Sequence, residues 1–411
     1  EKGAFRIGLV SLFSVESLGT RALFPFMKEA GFDIDLIFLK EHALNNFKMP
    51  TETEVRLFID LLRERQIKLV GFGARSPYVA FLRDLTKRIH DELDIPVVWA
   101  GTVGTVTPEV CLNAGADYAI CDAGEEAFAE FVNAVGSGED PRHILNLWYR
   151  DGDGKPVGNP LRKILADLDR LPIQDLEDED KFFIEFNKLT EGEPWRSTIK
   201  FETLTARGCP YVCSFCIHSK LVEMHKGLGK AVNGYSVEHA VREVEYARAK
   251  LPNMKCLFFA DEVFGVGIEW VREFEKKWIE RVNLPFECMI EPRALSPQKL
   301  RLLKNAGMVE LNIGIQSGSE KLRAELYDRP MSNKDLLQVV QWAHEAGVSM
   351  RYDIICDSPF ESPEDKRATL DVLLELPRPF ILNMFSLNYF PGAKLTEYAL
   401  KIGLVDESQV A

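Results

Sequence analysis

Three cysteines share one short loop: Cys209, Cys213 and Cys216, in the run Arg207-Gly-Cys-Pro-Tyr-Val-Cys-Ser-Phe-Cys-Ile217. Gaps of three and two residues let three thiolates converge on one centre. Thiolate-rich sites select zinc or iron–sulfur clusters. A closed structural site wants four protein ligands. No fourth cysteine or histidine completes a second pair nearby at zinc-ribbon spacing. Three ligands leave one metal position open, and an open position permits chemistry. A zinc knuckle or an electron-transfer cluster is the structural alternative.

The rhythm of the chain says how that loop is held. Residues 1–135 alternate strand and helix patterns. Strands are predicted at Phe5–Leu12, Asp33–Leu39, Leu69–Gly73, Pro96–Ala100 and Asp117–Cys121, and helices at Leu18–Gly31, Glu52–Arg65 and Tyr78–Leu93. Such alternation argues for a parallel sheet with helices on both faces. Ligands of these sheets bind at the carboxyl ends of the strands. Those ends, Ser11-Leu-Phe-Ser, Gly73-Ala-Arg-Ser, Gly101-Thr-Val-Gly and Asp122-Ala-Gly-Glu, are small or polar and suit close backbone approach.

Residues 136–195 break the rhythm. Asn146–Arg150 and Lys155–Val157, joined by Asp151-Gly-Asp-Gly, read as a hairpin. Asp167–Pro172 and Asp175–Asp180 read as a solvated linker. Residues 196–400 resume the alternation. Six strands are predicted, at Thr198–Thr205, Lys255–Asp261, Phe286–Glu291, Glu310–Gln316, Ser349–Cys356 and Phe380–Leu387, with helices between. Six units are fewer than the eight of a closed barrel, so an open, partial barrel is the natural architecture. Its strand ends carry Asp261 and Glu262, Glu291 and Arg293, Gln316 and Ser317, and Asp353 with Asp357, at the same mouth as the cysteine loop.

Composition narrows the class. The chain has 411 residues, 46% hydrophobic and 27% charged, ordinary for a globular protein with a large core. A net charge of −13 argues against nucleic acid or an anionic membrane as the main partner. No apolar run approaches the roughly 18 residues of a membrane span. The chain begins at Glu1, which leaves a removed targeting segment open. Cys111, Cys121, Cys256, Cys288 and Cys356 lie singly in apolar or helical contexts and read as small core residues. Nothing resembles a secreted disulfide framework, so a reduced, cytoplasmic setting is expected.

The Cys-x3-Cys-x2-Cys loop after a strand, at the opening of a partial barrel, resembles the radical SAM superfamily. Arg-Gly before the loop, Pro210 and the aromatic Phe215 extend the match, and the resemblance covers residues 197–400. It implies that Cys209, Cys213 and Cys216 hold a 4Fe–4S cluster. The fourth iron would bind the amino and carboxylate groups of S-adenosylmethionine (SAM), and one electron would release a 5′-deoxyadenosyl radical. Phe215 matches the position near adenine. Asp261 and Glu262, in Ala260-Asp-Glu, stand where the family binds the methionyl amine. Arg293 is expected on the SAM carboxylate and Gln316 near the ribose, with Ser317 and Asp353 completing the set. The fifth strand departs most, with Asp353-Ile-Ile-Cys-Asp-Ser-Pro-Phe-Glu-Ser in place of Gly-Leu-Pro-Gly-Glu-Thr.

The first 135 residues resemble the cobalamin-binding domain that precedes many such cores. Val98-Trp-Ala-Gly-Thr-Val-Gly-Thr-Val-Thr-Pro-Glu109 and Gly115-Ala-Asp-Tyr-Ala-Ile-Cys-Asp-Ala-Gly-Glu-Glu126 carry this likeness. It implies cobalamin contacts from Leu12, Ser14, Gly73, Arg75, Ser76, Tyr78, Gly101, Thr102, Val103, Gly104, Thr107, Gly124 and Glu125. The family's Asp-x-His-x-x-Gly after the first strand is replaced by Ser11-Leu-Phe-Ser-Val-Glu-Ser-Leu-Gly19, so cobalt is expected to lack a histidine lower ligand, with Arg75–Tyr78 facing the lower side. His42 and His90 read as surface or helix residues. His218, Lys220, Tyr352 and Tyr389 read as supporting or core residues rather than substrate contacts.

The expected fold is therefore α/β. A Rossmann-like (flavodoxin-like) cobalamin-binding domain spans 1–138, a hairpin and linker 139–195, a partial (β/α)6 radical SAM barrel 196–400 and a tail 401–411. The resemblance implies a cobalamin-dependent radical SAM methyltransferase. Its deoxyadenosyl radical would take hydrogen from an unactivated carbon, which then collects a methyl group from methylcobalamin. The alternatives are a ring-forming, rearranging or carbon-coupling enzyme with the same cofactors, and a non-catalytic cobalamin or iron–sulfur sensor or carrier. An electron donor such as flavodoxin or ferredoxin is implied. The substrate is left open among a peptide or protein side chain, a lipid and a small molecule.

Overall fold

Parallel strands buried on both faces read as nearly unbroken apolar runs, and the first two strands follow that rule. β1 (Arg6–Leu12) is buried except at its first residue, and β2 (Ile34–Leu39) is buried throughout. The computed structural model describes residues 5–41, 48–406 and 410. Contacts divide the chain into two units, Glu1–Ile164 with Arg170–Ser197, and Leu165–Asp169 with Thr198–Ala411.

In the first unit, α1 (Leu18–Glu29), α2 (Glu52–Glu64) and β3 (Ile67–Gly73) follow in turn. Then come α3 (Val79–Leu93), β4 (Val97–Ala100), α4 (Gly101–Val106), α5 (Pro108–Asn113), β5 (Tyr118–Ile120) and α6 (Glu125–Ser137). Local chemistry sets the boundaries. Thr51 and Glu54 form a reciprocal capping box on α2, and Asp94 ends α3 in the left-handed region. The parallel strands order as β2-β1-β3-β4-β5, the flavodoxin-like arrangement, with its switch point between β1 and β3. The hairpin β6 (Leu147–Arg150) and β7 (Pro156–Gly158) extends the sheet beyond β5.

The opposite edge was not anticipated. β8 (Lys181–Glu185) pairs in parallel with β2, and β9 (Lys188–Glu191) folds back on β8. The stretch expected as hairpin and solvated linker therefore also carries two strands of the first sheet. It is anchored by charge out of reach of water. The Arg21 and Glu193 side chains are 1% and 0% exposed and pair at 2.7 Å, and the Arg21 guanidinium lies 4.0 Å from the Trp195 ring. Lys181, also fully buried, bonds Asp175 at 2.9 Å and lies 3.4 Å from Glu193.

The second unit opens with β10 (Lys200–Thr203) and β11 (Ala206–Arg207), then α7 (Ile217–Met224), β12 (Asn233–Gly234) and α8 (Val237–Lys250). There follow β13 (Cys256–Phe259), α9 (Ile268–Arg281), β14 (Phe286–Met289), α10 (Pro297–Ala306) and β15 (Met308–Gln316). The series ends with α11 (Glu320–Glu325), α12 (Asn333–Glu345), β16 (Ser349–Ile355), α13 (Pro363–Glu375), β17 (Phe380–Phe385) and α14 (Lys394–Lys401). Ser236, Ser296, Ser332 and Ser362 each N-cap a crossover helix by accepting a backbone N–H. All six strands of the main sheet run parallel, in the order β10-β13-β14-β15-β16-β17, and β10 and β17 remain unpaired with each other. This is the open, six-stranded partial barrel.

Alternation gives the sheet two characters. On β15 and β16, Leu311, Ile313, Ile315, Met350, Tyr352 and Ile354 are buried beneath the helices. The intervening Asn312, Gly314, Arg351 and Asp353 line the inner face and are only partly buried. Tyr352 packs on Phe380 at 5.3 Å, the core role the sequence suggested. A column of Phe259, Phe264, Trp270, Phe274, Trp278 and Phe286 fills the space under α9.

Candidate cofactor sites

Backbone geometry fixes the cysteine loop first. Gly208 has φ +95°, and a Cβ there would lie 2.1 Å from the Ala231 carbonyl oxygen. Only glycine lets the chain enter the loop on this path. Ser214 N–H donates to the Tyr327 carbonyl at 3.1 Å and Leu395 N–H to the Ser214 carbonyl at 2.9 Å, which ties the loop to the end of α11 and the start of α14. Cys216 N–H closes a turn onto the Cys213 carbonyl at 3.0 Å, and Cys216 is the N-cap residue of α7.

Cys213 is buried; Cys209 and Cys216 are half-buried. Burial pushes the thiols of Cys209 and Cys216 up to about 11 and about 12. The backbone N–H groups of Tyr211 and His218 hydrogen-bond these two sulfurs and oppose that rise. The three sulfurs also feel one another electrostatically. Among the described residues, no three His, Cys, Asp or Glu side chains are grouped to hold a single ion. The donor set is three thiols in one loop with amides aimed at two of them, which fits a cluster ligated at three corners.

The expected SAM contacts separate on inspection. Arg293 lies 4.3 Å above the Tyr211 ring, within the cysteine loop, and its Nε donates to Glu291 at 2.7 Å. Its Nη2 is buried with no hydrogen-bond partner. A buried donor left over beside the cluster loop suits a carboxylate such as that of SAM. Glu262 is exposed, pairs with His218 at 3.1 Å and adds negative charge near Cys209 and Cys216, the setting an ammonium group needs. Phe215 packs edge-on against Tyr327 at 5.1 Å, in a small apolar cluster with Leu322, Ile355 and Leu395. Gln316 ends β15 with φ +66°.

Three residues of the expected set are occupied elsewhere. Asp261 is fully buried and accepts from Thr205 N at 2.9 and 3.0 Å and from Thr205 Oγ1 at 2.7 Å. Burial pushes its carboxyl up to about 7, against those bonds. It joins β13 to the chain after β10 rather than presenting a free carboxylate. Ser317, also fully buried, donates to Glu361 at 2.9 Å and accepts from Ser319 N–H at 3.3 Å. Asp353 lies within β16, two residues short of its end, and accepts from Asn383 at 2.8 Å.

Sequence reasoning missed Tyr211, Tyr327 and Arg329. The pairing of Arg329 with Cys213 and Glu291 is long-range, and no local motif signals it. Among the single cysteines, Cys111, Cys121 and Cys288 are core residues as expected. Cys356 is exposed and Cys256 only half-buried, which corrects that expectation. Cys356 follows the last residue of β16, where the wall of the open sheet ends.

In the first unit, the residues expected to hold cobalamin gather at the carboxyl ends of β1, β3, β4 and β5. Leu12, Val103, Gly104 and Glu125 are buried there and support the rim. Ser14, Gly73, Arg75, Ser76, Tyr78, Gly101, Thr102, Thr107 and Gly124 are at least partly exposed. A Cβ on Gly101 would lie 2.9 Å from the Ala74 carbonyl oxygen. The ends of β3 and β4 thus meet backbone to backbone, leaving a broad rim poor in side chains that suits a large flat ligand. Tyr78 packs against Phe13 with the rings tilted, centroids 4.2 Å apart, and connects the loops after β1 and β3 across the switch point. His90 is at the far end of α3, bonded to Asp117 at 2.9 Å, and His42 lies outside the described residues.

Family models match both halves: the B12 binding domain over residues 7–132 and the radical SAM superfamily over residues 203–373. The chain joins a B12-binding domain to a radical SAM domain. This radical SAM protein is 25% identical to an uncharacterized methyltransferase of Pyrococcus horikoshii, over 82% of this chain and 70% of that one. It is 24% identical to the anaerobic magnesium-protoporphyrin IX monomethyl ester cyclase of Rubrivivax gelatinosus, over 84% of this chain and 59% of the cyclase. In fold it resembles the radical SAM methyltransferase TsrM of Kitasatospora setae, solved with tryptophan and a SAM analog. The TM-score is 0.78 at 18% identity, covering 97% of this chain and 76% of that one. No helix among the described residues is long and apolar enough to cross a membrane.

Proposed function

We propose that this protein transfers a methyl group from SAM, by way of cobalamin, to a carbon of its substrate. The observation that carries the reading is a three-cysteine loop at the mouth of an open barrel, in a chain that also has a B12-binding domain. When bound, the cluster and SAM supply a 5′-deoxyadenosyl radical, and cobalamin carries the methyl group. The chain's own residues bind and orient. Cys209, Cys213 and Cys216 would ligate the cluster. Arg293 would take the SAM carboxylate through its unpartnered Nη2, Glu262 the amine, and Phe215 the adenine edge. Gln316 stands near the expected ribose position. Asp261, Ser317 and Asp353 hold the strand ends and inner wall in place.

We further propose that cobalt has no histidine on its lower face. The loop after β1 offers Phe13 and Ser14, and Arg75–Tyr78 would cover that face. Electrons would come from a flavodoxin- or ferredoxin-type donor. Anaerobic incubation of the reconstituted protein with SAM, cobalamin and a reductant tests the reading. S-adenosylhomocysteine and 5′-deoxyadenosine are expected, and the absence of both refutes it. The likeness to the cyclase favours ring formation as a second reading. Product mass separates the two, because methylation adds one methylene unit and cyclisation removes hydrogens.

A further inference from the structure

Beyond the three cysteines, one buried cation reaches the cluster loop. Arg329 is 7% exposed and is held at three points. Its Nη2 donates to the Gly314 carbonyl at 2.6 Å and lies 3.3 Å from Glu291 Oε1, and its Nη1 lies 3.9 Å from Cys213 Sγ, within hydrogen-bonding range for sulfur. Gly314 makes room for this. A Cβ there would come within 3.4 Å of Arg329 Nη2 and 2.5 Å of the Gln316 side chain.

We propose that Arg329 is a positioning residue that raises the reduction potential of the cluster, acting through the sulfur of Cys213. This rests on the function proposed above. A guanidinium stays charged at any ordinary pH and offers directed N–H donors. Reduction adds one electron, from an external low-potential donor, to the cluster and its thiolates. Hydrogen bonds to sulfur and nearby positive charge favour the reduced state. Glu291 opposes this with a carboxylate that contacts Arg329 and whose charge also reaches Cys209. The two residues therefore act with opposite signs, which a merely structural role does not require.

The test is an equilibrium redox titration of the reconstituted full chain, followed by electron paramagnetic resonance of the reduced cluster, with iron content and thermal midpoint measured alongside. Arg329→Met should lower the reduced-to-oxidised ratio at fixed potential roughly tenfold, about 59 mV for a one-electron couple. Arg329→Lys should recover most of that loss, and Glu291→Gln should raise the ratio. If Arg329→Met fails to hold iron, Glu291→Gln still carries the sign test. An Arg329→Met titration that coincides with wild type, or a fall in Glu291→Gln, overturns the proposal. Wild-type protein that takes up no iron overturns the cluster assignment itself.

Discussion

The returning segment at the edge of the first sheet depends on a carboxylate sealed from solvent. Glu193 accepts both Arg21 Nη atoms, at 2.7 and 3.1 Å, and the Trp195 N–H at 2.9 Å, while Lys181 lies 3.4 Å away. Glu193→Leu removes that acceptor and leaves the Arg21 charge buried with only the Val15 carbonyl to receive it. Breaking a buried pair by removing one partner costs about 3–5 kcal/mol. Lys181 retains Asp175, so the lower part of that range applies. In a unit of about 190 residues, each kcal/mol moves the midpoint by roughly 2–4 °C, so a cost of about 3–4 kcal/mol predicts a fall of about 6–16 °C. The assay is differential scanning calorimetry of the protein without cobalamin, since a ligand of the native state would mask the loss. With two units, two transitions are expected, and only that of the first should move. The double variant Arg21→Met/Glu193→Leu removes both charges and should recover most of the loss. A shift under about 2 °C in the single variant, or a double variant no better than the single, would refute the claim that this pair anchors the segment.

Replacing Cys209, Cys213 and Cys216 together by Ala should abolish iron uptake and spare cobalamin binding; retained iron in elemental analysis would contradict the ligand assignment. Arg293→Met removes a charge-assisted hydrogen bond worth about 1.5–3 kcal/mol, so equilibrium dialysis should find SAM bound roughly 10–100-fold more weakly. The cob(II)alamin form should give a paramagnetic spectrum without nitrogen splitting from a histidine ligand. Asp261 titrates near 7 in the folded chain against an ordinary 3.8, so the native state keeps a proton that the unfolded chain has lost. The stability it contributes is fully present below 3.8 and is lost as pH rises through about 7. The midpoint of the second unit should therefore fall between about pH 4 and 7 in wild type, and fall less in Asp261→Asn.

What the sequence made legible was local. The strand-end loops of the first sheet, the six strands of the second and the cysteine loop all follow from periodicity and short spacings. Lys181-Phe-Phe-Ile-Glu185 was lost because it follows an acidic run and is flanked by charges. Its partner β2 is distant in sequence, and the buried role of Lys181 exists only once Asp175 and Glu193 surround it. Arg329 stands in Tyr327-Asp-Arg-Pro330, a turn with no chemical signature. Only the fold brings it to Cys213. Asp261 was legible as a strand-end carboxylate, yet its engagement with Thr205 depends on the register of two strands far apart in sequence.

The inner wall of the second sheet bears on what this enzyme can admit. Glu310 pairs with Arg351 and Asp353 with Asn383 there, in place of the branched hydrocarbon packing that fills an eight-stranded barrel. Water wets such a surface readily, so a guest must replace what the water was doing. A purely greasy molecule would strand those amides and carboxylates at about 1–3 kcal/mol for each one left unmatched.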